Sequence, residues 1–154
     1  MIRVQLQDFD PGAETDALVA GKTHIGGVVT FTGLARDFSG GKEVTSITLE
    51  HYAGMTERRL AKIEEEANHR WNLSASMIIH RYGTLIPGDR MVFVVTASAH
   101  RKDAFEANEF LVDWLKTKAP FWKLEGGPKG ENWVEARKSD DDAAERWRTP
   151  DSEY

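Results

Sequence analysis

The run Met91-Val92-Phe93-Val94-Val95-Thr96 is apolar at consecutive positions. Side chains of a strand alternate between its two faces, so a run with no polar face must be covered on both sides. That requirement makes it a central strand of a sheet with further elements packed above and below. One cover precedes it: from Thr56 to Trp71 the apolar residues Leu60, Ile63, Ala67 and Trp71 recur at helical spacing, while Glu57, Arg58, Lys62, Glu65 and Glu66 occupy the other positions. A second follows it, with Phe105, Asn108, Leu111, Val112 and Leu115 as the buried stripe of a helix that Pro120 prevents from continuing. Strand patterns at 2–7, 24–33, 44–52, 77–83, 121–125 and 132–135, with a short helical piece at 13–20, complete an α+β reading: a mixed or antiparallel sheet with covering helices. Gly26, Gly27 and Gly33 in the second of these strands predict a bulge or the close approach of another backbone.

A chain of 154 residues with 40% hydrophobic content has the size of one globular domain. Residues 1–138 are expected to form it, with 139–154 as an acidic C-terminal tail whose docking residues are Ala143, Ala144 and Trp147. From Glu131 onward eight acidic residues oppose four basic ones, which accounts for −4 of the −5 formal charge. The preceding residues are therefore nearly neutral, and their cations are free to build a local anion site. The overall charge argues against general nucleic-acid binding. Cysteine is absent, which removes disulfides, thiolate metal sites and any thiol or persulfide nucleophile; sulfur used here must arrive on another molecule. No apolar run approaches membrane-spanning length, and a soluble cytoplasmic protein is expected.

The candidate chemistry lies mainly between His100 and Glu125. His100 and Arg101 stand where the central strand meets the following helix, whose first-turn amides also favour an anion. Lys116 lies in that helix's last turn, and Lys123 follows Pro120 on a different element. Trp122 and Leu124 flank Lys123, an apolar setting that predicts a poorly solvated ammonium with a lowered pKa. Arg36, at the end of the glycine-rich strand, adds a planar charged fork suited to phosphate or carboxylate. If these five groups converge, a polyanionic ligand is the expected occupant, with histidine as a proton carrier. Each also has a plainer reading as a solvated surface charge, and Lys116 and Lys118 suit the negative end of a helix. His51, His80, Trp122 and Trp133 read as structural. No His-Glu-x-x-His, EF-hand or Gly-x-Ser-x-Gly spacing occurs, so no metal, cofactor or serine triad is expected.

Several segments, in order, resemble the large, catalytic subunit of molybdopterin synthase: Gly26 to Arg36, Leu49-Glu50-His51-Tyr52, His80-Arg81-Tyr82-Gly83, Ser98 to Phe105, Lys116 to Glu125, and Trp133-Val134-Glu135-Ala136. The resemblance covers nearly the whole chain. It implies a fold of α/β-hammerhead type and a homodimer within a heterotetramer, whose small ubiquitin-like subunits carry a C-terminal thiocarboxylate. Sulfur would pass from that tail to cyclic pyranopterin monophosphate, two transfers making the dithiolene of molybdopterin. By the same resemblance Lys116 and Lys123 are the catalytic pair, with exchangeable roles. Arg36, His100 and Arg101 contact substrate, the last two supplied by the dimer mate. Glu125 and the backbone of Leu34, Ala35 and Leu124 complete the pocket, and Phe31 lines the channel for the partner's tail. Ala35 stands where the family usually has valine, and Leu124 where a basic residue is common. An alternative class is a non-catalytic module that captures the tail of a ubiquitin-like partner by strand addition at Gly26 and Gly27.

Overall fold

The computed structural model describes residues 1–134 and 138–150. In chain order the elements are β1 (Ile2–Gln5), α1 (Pro11–Val19), β2 (Gly27–Leu34), β3 (Phe38–Ser39), β4 (Lys42–Glu43), β5 (Ser46–His51), α2 (Met55–Arg70), β6 (Ala75–Arg81), β7 (Gly83–Leu85), β8 (Arg90–Ser98), α3 (Arg101–Thr117), β9 (Phe121–Gly127), β10 (Gly130–Val134) and α4 (Lys138–Glu145). The fold is α+β, but the strands form two four-stranded sheets rather than one. The first has the order β1-β6-β8-β2 and is antiparallel apart from the β1/β6 pair; the second, β10-β9-β5-β7, is wholly antiparallel. β3 and β4 form a small separate hairpin.

The apolar run on β8 is covered on both faces. Val92 and Val94 join Ile78 of β6 beneath Leu60, Ile63 and Ala67 of α2 and Phe110, Leu111 and Trp114 of α3. Phe93 and Val95 face the other way, with Met77, Ile79, Phe9 and Leu18 of α1. The buried stripe of α3 keeps the expected Asn108 and Leu111 but differs at its start: Phe105 is 60% exposed, and Ala104 and Ala107 face the sheet instead. Their small side chains let α3 lie close to the strands, where Asn108 Nδ2 donates to the carbonyls of Val29 (3.0 Å) and Val94 (3.1 Å).

The segment at 77–83 is not one strand. Gly83 adopts φ +89°, a conformation that costs other residues energy, and the chain turns there from the first sheet into the second. A third core, Ala35, Val44, Ile47, Leu49 and Leu85, lies on the second sheet. Phe121 packs against both this core and the one under α2 and α3, marking the seam between the sheets. Past the second sheet, α4 runs alongside α3. Ala144 is buried, and Trp147 meets the rings of Trp71 and Phe110 edge-on while its Nε1 donates to Asp113 (2.6 Å). No helix among the described residues is long and apolar enough to cross a membrane.

Candidate active site

A cleft of ≈ 350 Å³ opens at the seam. Its cations come from three elements' ends: Arg36 just past β2, Lys116 in the last turn of α3, and Lys123 on β9. Lys116 reaches it because α3 stops there. The N–H of Lys118 caps the Trp114 carbonyl at 2.7 Å, and buried Pro120 carries the chain into β9. On β9 the alternation of side chains sends Phe121, Lys123 and Glu125 into the cleft. Lys123 Nζ lies 3.9 Å from Glu125 Oε1, so a carboxylate accompanies the ammonium.

The same alternation overturns one expectation. Trp122 and Leu124, the apolar neighbours of Lys123 in sequence, belong to the opposite face, where Trp122 meets the Tyr52 ring at 4.7 Å. They lie on the far side of the strand from the lysine, whose side chain is 33% exposed. Nor does Leu124 line the cleft: its strand is paired on both sides, with Thr48 and with Trp133 opposite it, so its backbone is engaged in the ladders. Ala35 is buried in the third core. Its N–H donates to Asp89 and its carbonyl accepts from Gly88, leaving its contact with a shallower neighbouring cleft. Phe31 and Leu34 line a second cleft that shares Arg36, Lys116, Lys123 and Glu125 with the first.

His100 and Arg101 are not brought to these lysines within one chain. Both are exposed at the start of α3, and the rise of an α-helix puts Arg101 about 22 Å from Lys116 at its other end. The fifteen-residue spacing carried this information. Groups that the sequence did not suggest do line the cleft: Ser139 and Asp140 at the start of α4, and His80 near the end of β6. His80 is 6% exposed and stacks on Phe121, with centroids 3.7 Å apart and 15° between planes. Burial pushes its pKa down to about 4, against the opposing effect of its bond to the Arg81 carbonyl; Lys116 and His51 lower it further.

A two-sheet α+β fold with a cationic cleft at its seam is thus the class of protein present. The MoaE protein family model matches residues 4–118. The chain is 55% identical over 146 residues to the molybdopterin synthase catalytic subunit of Pseudomonas aeruginosa, covering 95% of this chain and 97% of that one. It is 54% identical over 141 residues to that of Escherichia coli, covering 92% and 93%. A solved structure, the molybdopterin biosynthesis MoaE protein from Burkholderia ambifaria, superposes with a TM-score of 0.80 at 48% identity, over 96% of this chain and 97% of that one. The chain belongs to the MoaE family and, with it, to the molybdopterin synthase catalytic subunits, which are sulfurtransferases of molybdenum-cofactor biosynthesis.

Proposed function

We propose that this chain transfers sulfur from the C-terminal thiocarboxylate of a small ubiquitin-like subunit to cyclic pyranopterin monophosphate in the cytoplasm. Residues 1–138 serve as the catalytic domain and 139–154 as an accessory acidic segment. The observation that carries the proposal is the opening of Lys116 and Lys123, from different elements, onto one cleft with Arg36. Sulfur leaving an acyl carbon develops negative charge on oxygen or sulfur, and fixed cations in a partly closed cleft stabilise it far better than water can. On this reading Lys116 meets the tail's reacting carbonyl and Lys123 moves protons or holds the oxyanion, with Glu125 fixing its position. Arg36 takes the substrate phosphate as a bidentate fork. Phe31 and Leu34, in the adjoining cleft, guide the tail toward the lysines.

His100 and Arg101 complete a site only if a second copy supplies them, and a homodimer is the arrangement we propose. Phe105 supports it: this exposed apolar side chain lies one helical turn beyond Arg101 on the same side of α3, a surface that an assembly would cover. Two copies and two small subunits then make a heterotetramer. Single-turnover conversion of cyclic pyranopterin monophosphate by the chain and its thiocarboxylated partner tests the reading, with Lys123→Ala alongside. Dithiolene product from the parent and a loss of at least about a hundredfold in the variant, with partner binding retained, is expected. Equal turnover removes Lys123 from the chemistry. Tight partner binding without turnover in either protein favours the tail-capture module.

A further inference from the structure

We propose that His80 is a ligand-contacting residue of this cleft, with Nε2 accepting a hydrogen bond from an N–H donor of the bound molecule. The inference rests on the sulfur-transfer reading only for the identity of that molecule. His80 Nδ1 lies 2.8 Å from the Arg81 carbonyl oxygen. A carbonyl can only accept, so the ring proton sits on Nδ1 and Nε2 carries a bare lone pair. Nε2 has no hydrogen-bond partner among the described residues. The side chain is more than nine-tenths buried, yet it lines the cleft. Nε2 is not one of the fully enclosed side-chain atoms that lack a partner, so it keeps access to the cleft, where water or a ligand must satisfy it.

The ring also cannot turn away. The stack on Phe121 fixes its plane, and the Arg81 bond fixes its rotation about that plane. Burial keeps the imidazole neutral near physiological pH, so it adds no fourth positive charge beside Arg36, Lys116 and Lys123. The other charged or titratable groups around it are His51 of β5, Glu125 of β9 and Asp140 of α4. The rim therefore suits the anionic part of a ligand, and the floor presents one neutral acceptor suited to an amide or ring N–H. Two sources of that donor enter this cleft on the proposed function: the heterocycle of the substrate and the backbone amides of the partner's tail.

Calorimetric titration separates them. The parent, His80→Asn and His80→Gln are each titrated with cyclic pyranopterin monophosphate and, separately, with the partner carrying an ordinary C-terminal carboxylate, which cannot react. Asparagine retains a donor for the Arg81 carbonyl and lacks the Nε2 acceptor, whereas glutamine returns an acceptor near its position. One of the two ligands should bind His80→Asn roughly tenfold more weakly, with recovery in His80→Gln, since one lost hydrogen bond to a ligand amounts to about that factor. The ¹⁵N resonance of Nε2 in the parent should also move toward its hydrogen-bonded range when that ligand is added, a change that a purely structural histidine would not show. Weakened substrate binding identifies the ring as the donor, and weakened partner binding identifies the tail. Unchanged affinity for both ligands in His80→Asn, with both bound by the parent, overturns the inference alone. Failure of the parent to bind either ligand overturns the sulfur-transfer reading and takes the inference with it.

Discussion

Replacing His80 by phenylalanine should change how stability responds to acid. The imidazole has an ordinary value of 6.5 and is pushed down to about 4 in the folded chain, first by burial. Its folded pKa is lower than its unfolded one, so below pH 6.5 the unfolded chain takes up the proton more readily and the native state loses stability. Linkage between those two values gives a loss of about 2 kcal/mol at pH 5 and about 3 kcal/mol at pH 4, with essentially none at pH 7.5. Phenylalanine preserves a ring to stack on Phe121 and cannot titrate. It leaves the Arg81 carbonyl without its donor, a cost that does not vary with pH. Urea unfolding of parent and variant at fixed protein concentration, from pH 7.5 to 4.5, isolates the histidine as the change in their stability difference. The variant should gain on the parent by about 2 kcal/mol between pH 7.5 and 5. Parallel curves would show that His80 is protonated or solvated in the native state, and the account of a neutral floor would fail with them.

Three further outcomes test the packing and the assembly. A Cβ on Gly26 would lie 2.2 Å from the Ala99 carbonyl oxygen, so Gly26→Ala should cost at least about 2 kcal/mol in thermal unfolding. Gly12→Ala, where the nearest atom is 3.4 Å away, should stay within about 0.5 kcal/mol of the parent. Trp147→Ala removes two ring contacts and the bond to Asp113. It should lower stability by about 3 kcal/mol in urea, and a loss under about 1 kcal/mol would mean that α4 docks without it. On the shared-site reading, Arg101→Ala and Lys123→Ala are each inactive alone, while an equal mixture after subunit exchange regains about a quarter of parental turnover, because half the dimers are mixed and each has one intact site. No recovery in the mixture would place Arg101 and Lys123 in the same chain's site or remove one of them from it.

The parts of the fold that could be read from sequence are those governed by local periodicity. The covered run on β8 and the stripe of α2 follow directly from which positions are apolar. The start of the α3 stripe was read one position away from its true place because Phe105 outweighs Ala104 in hydrophobicity, whereas close approach to the sheet selects the small residue. The division into two sheets was not legible, since it turns on the backbone at Gly83 and on which strands pair at long range. Among the candidate residues, Arg36, Lys116, Lys123 and Glu125 meet. Their convergence was not derivable from spacing, and the resemblance to a known family supplied it. The apolar flanks of Lys123 misled because neighbours in a strand point away from one another. His80 was passed over for a related reason: its alternation with Ile78 marks a core face, and only the tertiary structure shows that this end of β6 overhangs the cleft.

Phe121 is shared by two hydrophobic cores, and the cleft lies directly over that junction. Lys116 hangs from the helix on one sheet, and Lys123 belongs to a strand of the other. Their separation is therefore a property of how two rigid plates are set against each other, with one aromatic ring as the shim between them. Two cations mounted in this way report on the whole molecule: a change in the angle of the plates alters the gap between them without disturbing either lysine's own contacts.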